Sequence, residues 1–358
     1  MVGVMERLSQ QMFSQYSHRW PWPSPFFGTP HDAMTSLFYG ASGAALVEAD
    51  LYIALRDEVH LARARAYADL ALRYSQLRPK ANPGLVFGYG GLAWALARLY
   101  EVSGIDLGIE NALMEVKEAR RTSSTDVSHG AAGRGLVLLR GYRLTQERSL
   151  LIAAQVQAEQ ILSAHVTEGV LERSGVANFG FAHGLAGEAY FIHELSLTTG
   201  IKDYGSFVSQ ATDILSDVAV QFGDGAVWGT NWQDVSPRPF WCHGTSGVGL
   251  FFLRYGKAPA LLPVLRAAAT TPDYGLCHGI ASIGEFIAEA RSCGMPVDGH
   301  YEALTQLLLS RACDDGGPVW RTPAGDALPP YLGYGTFGLL HMLSRSVEET
   351  IPHPTLLA

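Results

Sequence analysis

A Gly-x-x-Gly landmark followed at once by an apolar run recurs seven times along this 358-residue chain. The first glycines of successive landmarks are 48, 42, 54, 60, 35 and 56 residues apart. A fixed landmark that returns at such intervals is typical of an array of supersecondary units. The first glycines are Gly40, Gly88, Gly130, Gly184, Gly244, Gly279 and Gly335, and in the sixth landmark Ser282 replaces the second glycine.

The apolar runs predict buried helices. In the second unit Leu92, Leu96 and Leu99 recur at steps of three and four residues with alanines between them, so this helix is apolar almost all round. Residues 61–79 and 148–165 lie between landmarks, are more amphipathic and predict covering helices. Each unit is therefore interpreted as one inner and one outer helix, with glycines that let the inner helices pack closely.

The seven inner helices must be covered on both sides. An open solenoid needs polar caps at its ends, but the last unit, YLGYGTFGLLHML, has no such polarity. We therefore predict an all-α fold, a closed α/α toroid of seven helical-hairpin repeats spanning residues 35–358. A lead-in segment of residues 1–34 precedes it, and its Pro- and aromatic-rich part, residues 19–30, is predicted to lie as a strap over the toroid.

Composition and charge exclude several classes of function. The net charge of −8 provides no basic footprint for nucleic acid. No apolar run reaches the roughly 18 residues that a membrane span needs, and the first residues, MVGVMERLSQQMF, contain no secretory core. We expect a cytoplasmic protein without nucleic-acid or membrane partners, in which cysteines more often bind metal or take part in catalysis than form disulfides.

Histidine and cysteine concentrate at two repeated positions. The residue before the first glycine is histidine in four successive units, and one position earlier Cys242 and Cys277 occupy adjacent units. In a toroid, such equivalent positions converge near the axis at one end. The seven residues before the glycines are Tyr39, Phe87, His129, His183, His243, His278 and Tyr334.

Two thiolates and an imidazole are typical ligands of zinc, and a catalytic zinc site leaves its fourth position open. Thiolates also favour such a metal over magnesium or calcium. Cys242 and Cys277 would supply two ligands, and the residue pattern leaves the third open between His243 and His278. Cys293 and Cys313 occupy no repeated position, and we interpret them as structural.

The ordered landmarks resemble the lanthionine synthetase C-like family over about residues 35–342. The most specific motifs are Trp-Cys-His-Gly at 241–244, Cys-His-Gly at 277–279 and Ala-His-Gly-Leu-Ala-Gly at 182–187. The resemblance implies a seven-unit α toroid with an axial Zn²⁺. It further implies an enzyme that adds peptide Cys thiols to dehydroalanine or dehydrobutyrine, forming lanthionine-type thioether rings. The implied zinc ligands are Cys242, Cys277 and His278.

The same resemblance implies three catalytic residues. His183 corresponds to a histidine proposed to move protons, Asp126 to an acidic residue near the site, and Arg238 to an active-site arginine. The chemistry requires a proton donor to carbon, for which histidine suits neutral pH, so His183 is our first candidate and His243 the second. Arg238 or His243 would stabilise the enolate oxygen.

Simpler interpretations of these side chains stay open. Asp126 would then only cap the following helix, Arg238 would only pair with Asp234, and His129 would only line the ring. Many stand-alone family members have tyrosine where His243 stands, so this chain is more similar here to the cyclase halves of fused synthetases. That departure leaves the identity of the proton donor open.

The expected partners follow from what the sequence lacks. It contains neither a kinase Gly-rich loop nor a P-loop, so a separate dehydratase of kinase or lyase type is expected to supply the dehydrated precursor peptide. Three alternatives remain: a zinc-bound, non-catalytic peptide-binding scaffold of a biosynthetic complex, glutathione addition to dehydro residues, and a glycoside-processing toroid. The last needs two carboxylates that flank the bond, and the candidates Glu188, Glu285 and Asp126 do not occupy equivalent repeat positions.

Overall fold

The structure, a computed structural model, describes residues 1–21, 34–76, 82–222, 225–256, 262–314 and 318–357. Within these ranges fourteen α-helices provide most of the regular structure, with one 3₁₀ turn at Arg173–Gly175 and three short antiparallel hairpins. The helices are α1 (Val2–Tyr16), α2 (Ala41–Leu55), α3 (Glu58–Ser75), α4 (Gly90–Ser103), α5 (Ile109–Glu118), α6 (Ala131–Thr145), α7 (Arg148–His165), α8 (Leu185–Thr199), α9 (Lys202–Asp217), α10 (Thr245–Arg254), α11 (Leu262–Thr270), α12 (Ile280–Ser292), α13 (Asp298–Ser310) and α14 (Thr336–Val347). The hairpins pair β1 (Val166–Thr167) with β2 (Val170–Leu171), β3 (Val220–Phe222) with β4 (Gly225–Val227), and β5 (Cys313–Asp314) with β6 (Pro318–Val319).

Seven helices form a closed inner ring: α2, α4, α6, α8, α10, α12 and α14. Each begins at a glycine landmark and packs against the next in chain order, and α14 packs back against α2. The predicted α/α toroid is therefore confirmed. The ring closes because these helices are apolar on both flanks. Each helix therefore buries one flank against the preceding inner helix and the other flank against the following one. Among the described residues, no helix is both long and apolar enough to cross a bilayer.

The remaining helices cover this ring. The predicted covering helices at 61–79 and 148–165 are confirmed by α3 and α7, although residues 77–79 lie outside the described residues. No helix follows α14 within the described residues. Instead α1, from the start of the chain, packs against α14 and buries Met5, Leu8 and Met12.

Helix α1 places part of the predicted lead-in on the ring. Its Ser9 hydroxyl donates a hydrogen bond to Glu48 of α2 over 2.7 Å. Just after α1, the Trp20 indole donates to the Tyr39 carbonyl, also over 2.7 Å. The division into residues 1–34 and 35–358 stays a prediction. So does the strap, of which residues 22–30 lie outside the described residues.

The landmark glycines are needed because each inner helix begins in contact with the turn before it. A Cβ atom on Gly133 would lie 1.9 Å from the Val127 carbonyl oxygen, a distance that no side chain tolerates. In the sixth unit the second glycine is replaced by Ser282, whose hydroxyl accepts a hydrogen bond from the Trp241 amide over 2.7 Å. Close packing therefore explains the glycines, as the sequence interpretation predicts.

Ten residues after the first glycine, every inner helix carries a charged side chain. At about 1.5 Å per residue, this level lies about 15 Å from the glycine end. All of these side chains except Arg254 belong to residues at most 9% exposed. We call the set the charged belt: Asp50, Arg98, Arg140, Glu194, Arg254, Glu289 and Arg345.

Ion pairs at the belt join neighbouring inner helices. Asp50 pairs with Arg98 at 2.6 Å, and Glu289 pairs with Arg254 at 2.7 Å and with Arg345 at 2.9 Å. Buried charges are tolerated only when paired, so each belt residue requires its neighbour to be in place. Further links around the ring are Glu101–Arg140, Arg143–Glu194, His341–Glu285 and His341–Asp50.

The ring interior is filled by the C-terminal segment, residues 351–357. His353, Leu356 and Leu357 are each at most 2% exposed. The Pro354 carbonyl accepts from the Trp94 indole of α4 over 2.9 Å, and the Leu357 amide donates to the Tyr190 hydroxyl of α8 over 2.8 Å. The segment is thus buried inside the ring and bonded to α4 and α8, the two inner helices on either side of α6.

We predict that stability falls with rising pH because His341 is buried between Asp50 and Glu285. Burial lowers the pKa of His341, but charge interactions and hydrogen bonds with Glu285 and Asp50 outweigh burial and raise this pKa to about 9. The cation of Arg345 and His353, whose pKa burial lowers, also lie nearby. A raised folded-state pKa stabilises fully below about pH 6.5, and this contribution is lost as the pH rises through about 9. The free energy of unfolding should therefore decrease by about 3 kcal/mol between pH 6.5 and pH 10. Urea denaturation across this range measures the decrease, which should be much smaller in His341→Gln; an unchanged profile in that variant would contradict this assignment.

Candidate active site

The turns before the inner helices are joined by a series of backbone hydrogen bonds at the glycine end. At six of the seven junctions between units, the residue two positions before the first glycine donates its amide proton to the carbonyl of the corresponding residue in the next unit. Cys242, for example, donates to Cys277 over 3.2 Å, and Cys277 donates to Gly333 over 2.8 Å. The other bonds of this kind are Gly333 to Phe38, Phe38 to Val86, Val86 to Ser128, and Ser128 to Ala182. Equivalent residues of the repeat are therefore held at one level around the axis.

One residue further along the chain, aromatic side chains contact one another around the axis, some of them stacked and others tilted or edge-on. The His183 ring lies 5.6 Å from His129 and 5.4 Å from His243, in stacked geometry, and Tyr334 stacks on Tyr39 at 5.0 Å. Phe87 against His129 at 4.8 Å and His278 against Tyr334 at 4.9 Å continue the series. We call these residues the axial ring: Tyr39, Phe87, His129, His183, His243, His278 and Tyr334. The predicted convergence of these seven positions is thus present.

Cys242, Cys277 and His278 meet at one side of the axial ring. Their ligand atoms all lie within 4.8 Å of one another, and the Cys242 sulfur lies 3.9 Å from His278 Nδ1. Both thiols are buried and free of disulfide bonds, while His278 is half-buried. The two sulfurs come from positions 35 residues apart and are brought together by the backbone bond between adjacent units.

The electrostatics of this cluster favour one thiolate beside one imidazolium. A hydrogen bond from Cys277 is the main reason why the pKa of Cys242 falls to about 4, against the opposing effect of burial, and His278 adds to the decrease. Burial and the neighbouring Cys242 charge raise the pKa of Cys277. Burial lowers the pKa of His278, but Cys242 outweighs it and raises that pKa.

The three side chains fit a zinc ion by their chemistry. Two buried sulfurs and one imidazole nitrogen are a donor set of catalytic zinc sites, in which the fourth position stays open. The donor atoms are close enough for one ion to draw them together with small side-chain rotations. His243, the other candidate for third ligand, does not belong to this cluster of ligand atoms.

Asp126 and His183 form a second pair on the axial ring. The carboxylate oxygen Oδ2 of Asp126 lies 2.9 Å from His183 Nδ1, and Oδ1 accepts from the His129 amide over 2.7 Å. Burial raises the pKa of Asp126, but hydrogen bonds from His129 and His183 lower it overall. Since an ionised carboxylate only accepts, Nδ1 of His183 carries the proton that faces Asp126, and Nε2 is left for chemistry.

His243 connects the two clusters. It follows Cys242 directly in the chain and stacks on His183. Burial lowers its pKa, so its ring is neutral near pH 7 and offers one N–H donor. Among the described residues, its buried Nδ1 has no hydrogen-bond partner. A buried nitrogen without a hydrogen-bond partner is suited to form a hydrogen bond with a polar group of a bound substrate.

Arg238 lies at the rim of this end. Its guanidinium pairs with Asp234 at 2.8 Å, and its side chain is 47% exposed. The simpler interpretation of Arg238, pairing with Asp234, is therefore present in the structure. Its backbone packs against Gly244, where φ is 125° and a Cβ atom would lie 2.3 Å from the Arg238 carbonyl oxygen. Because of this contact, the arginine is anchored next to the start of α10.

Sequence reasoning did not assign a role to Tyr334. Its hydroxyl is within hydrogen-bonding reach of the Cys277 sulfur, and burial raises its pKa, so it remains a phenol beside the thiols. The signal was available, since Tyr334 holds the same repeat position as the four histidines. It was overlooked because tyrosine is neither a usual zinc ligand nor the proton donor that the reaction suggested.

Comparison with known proteins gives a consistent result. The sequence model of the family described as lanthionine synthetase C-like protein matches residues 32–294. No curated protein sequence is significantly similar to this chain. The solved structure of nisin cyclase superposes with a TM-score of 0.67 at 15% identity, covering 96% of this chain and 94% of that one. At this identity the structural likeness establishes the fold, a helical toroid.

Two further structures are more distant. The Lin0763 protein from Listeria innocua has a TM-score of 0.49 at 12% identity, with 98% of this chain and 99% of that chain covered. An unsaturated glucuronyl hydrolase specific for heparin has a TM-score of 0.48 at 11% identity, with 98% and 97% covered. Similarity at this level carries no argument about what this chain does.

Proposed function

Because this chain belongs to the lanthionine synthetase C-like family, we propose that it is a peptide cyclase that forms thioether rings with a zinc ion held by Cys242, Cys277 and His278. The substrate is a precursor peptide that contains cysteine together with dehydroalanine or dehydrobutyrine. The observation that carries this proposal is the meeting of two buried sulfurs and one imidazole within 4.8 Å at the end of a closed toroid.

When bound, zinc would favour the thiolate form of an incoming cysteine, since coordination to the metal deprotonates a thiol. Cys242, Cys277 and His278 would hold the ion and leave one position for the substrate. Tyr334, within reach of the Cys277 sulfur, would donate a hydrogen bond that orients this ligand, as partners of metal ligands commonly do.

The remaining steps fall to residues of the axial ring. When the substrate thiolate attacks the β-carbon of the dehydro residue, the π electrons move to the carbonyl oxygen and form an enolate. The neutral His243 is placed to donate a hydrogen bond to that oxygen. The enolate α-carbon then takes a proton, and the new C–S bond and C–H bond complete the addition with no change in peptide mass.

His183 is the proton donor in this proposal. Asp126 holds Nδ1 at 2.9 Å and, as an anion, stabilises the imidazolium. Nε2 then delivers the proton to carbon and recovers one from solvent or from the substrate thiol. Arg238 is exposed at the rim and paired with Asp234. Its proposed role is to attract or orient the peptide, for which its ion pair with Asp234 must open.

A cyclisation assay tests this function. A synthetic peptide with one cysteine and one dehydroalanine is incubated with zinc-loaded protein, then treated with iodoacetamide and analysed by mass spectrometry. Cyclised peptide keeps its mass and is no longer alkylated, so both features together indicate ring closure. If the zinc-loaded protein binds the peptide but leaves its thiol free, the protein is a non-catalytic scaffold. If it adds glutathione to the dehydroalanine but does not close the ring, its activity is glutathione addition to dehydro residues.

We expect His183→Gln to slow cyclisation by about 10²–10³-fold, because it removes the acid but keeps a hydrogen-bonding side chain. Zinc content and helical circular dichroism should not change. The matched control is His193→Gln. His193 is a partly buried histidine of α8, the helix that follows His183, and its ring meets Tyr255 edge-on outside the axial ring. A His183→Gln rate within threefold of wild type would show that another residue donates the proton.

We also propose that this protein acts in the cytosol, together with a separate dehydratase of kinase or lyase type that supplies the dehydrated peptide. This part of the proposal follows from the family relationship and from the substrate's chemistry. Dehydro residues arise by loss of water from serine and threonine, a reaction for which the described residues of this chain supply no phosphate-binding loop.

A further inference from the structure

A second group of potential ligand atoms is formed by Asp126 and two residues of the axial ring, His129 and His183, and it is separate from the cysteine cluster. Asp126 Oδ2 is 2.9 Å from His183 Nδ1 and 3.6 Å from His129 Nδ1, and the ligand atoms of all three residues lie within 4.8 Å of one another. None of these residues contributes to the group formed by Cys242, Cys277 and His278.

The spacing of these atoms is compatible with one transition-metal ion. Ligand atoms about 2.1 Å from a shared ion lie no more than about 4.2 Å apart. Both distances from the Asp126 oxygen fall within this limit. The ligand atoms of His129 and His183 lie at most 4.8 Å apart, so a small rotation of the His129 side chain would bring them within it too. The His129 side chain is 45% exposed, so it is free to make such a rotation and leaves a path for an ion from solvent.

The donor types indicate which ion would bind. Two imidazole nitrogens and one carboxylate oxygen favour zinc, cobalt or nickel over magnesium and calcium, which prefer oxygen ligands. The absence of sulfur makes this a weaker and spectroscopically distinct site.

We propose that Asp126, His129 and His183 form a second divalent metal site, and that an ion bound there inhibits the enzyme. Binding requires the proton on each Nδ1 to move to Nε2 or to solvent. A metal-bound imidazole cannot become imidazolium, so His183 would lose its ability to act as an acid. The inhibition rests on the proposed function, whereas binding of the ion does not.

Cobalt(II) chloride provides a direct probe. Protein that already holds one zinc per chain is titrated with Co²⁺ and followed by visible absorption and isothermal calorimetry. We expect one further equivalent to bind, with weak d–d bands and without the strong near-ultraviolet band that thiolate ligands produce. Absence of a second binding event would overturn the proposal, as would a second event with the thiolate band.

Two variants separate this site from unspecific surface binding. His129→Gln removes one ligand and should weaken the second event at least about tenfold, because even partners that only support a metal ligand contribute 10–100-fold to affinity. His193→Gln is the matched control and should bind as wild type does. If both variants bind the second ion equally well, the assignment to these residues is wrong.

Inhibition provides the second measurement. Each protein is compared with its own rate before excess Zn²⁺ is added, so a change in the uninhibited rate does not enter the result. Wild type should be inhibited by excess Zn²⁺, and His129→Gln should need at least tenfold more of it. A second metal that binds but leaves the rate unchanged would contradict the inhibitory role. If no preparation cyclises peptide, the proposed function is wrong. The Co²⁺ titration still tests the second metal site independently of that function.

Discussion

Cys277→Ala is expected to lose the bound zinc and to lower the cyclisation rate at least about 100-fold. Cys277 is 3% exposed, lies in the cluster of three ligand atoms and shares a hydrogen bond with Cys242. Two ligands remain in the variant, too few for a site that needs three protein ligands. Zinc content by elemental analysis and thiol consumption by the alkylation assay measure the two losses.

Helical structure should persist in this variant. The backbone bonds of residue 277 to its two neighbouring units do not involve the side chain, and the ring buries a large apolar core independently of the metal. The matched control is Cys293→Ala, since Cys293 is a free, exposed cysteine just after α12 and outside the repeat positions. Collapse of the far-ultraviolet circular dichroism in Cys277→Ala would show instead that the metal is structural.

Arg345→Met should destabilise the fold by about 3–5 kcal/mol. The Arg345 side chain is 1% exposed and donates to Glu285 and Glu289, both at 2.9 Å. Removing one partner of a buried pair leaves the others charged and unsolvated, which is the costly outcome for such pairs. Methionine fills similar volume, so the change reports mainly on charge. The free energy of unfolding from urea denaturation measures it.

The control for this effect is an ion pair on the surface. Arg173 pairs with Asp217, and both side chains are more than half exposed. Arg173→Met should change stability by less than about 1 kcal/mol, because solvent screens exposed pairs. Equal effects of Arg345→Met and Arg173→Met would mean that the charged belt does not stabilise ring closure.

The circular architecture could be predicted from the sequence because it depends on a local rule repeated seven times. Each landmark places glycine where a Cβ atom would collide with the preceding turn, as at Gly133, and each apolar run then builds one inner helix. The packing of α1 against α14 was not predicted, because residues 2–16 carry no landmark and their partner is over 300 residues away.

The charged belt was overlooked for a different reason. Charged side chains inside the apolar runs, such as Asp50 and Glu289, were given no role in the sequence interpretation. Their spacing of ten residues from the first glycine is visible in the sequence. Whether such residues are buried and paired depends on the closed ring, so their role follows from the tertiary structure alone.

The candidate site was partly visible in the sequence. Repeat equivalence brought Cys242 and Cys277 together, but it left the third ligand open between two histidines. The structure places His278, and not His243, with the sulfurs. The contact between Asp126 and His183 joins residues 57 positions apart through the conformation of two turns, which spacing alone does not determine.

X-ray absorption at the zinc edge of the purified protein tests the convergence of Cys242 and Cys277 most directly. We expect one zinc ion per chain with two sulfur neighbours at about 2.3 Å and nitrogen or oxygen at about 2.0–2.1 Å in the remaining positions. Protein that does not retain zinc, or zinc surrounded by nitrogen and oxygen only, would contradict a thiol-activating centre built from these two cysteines.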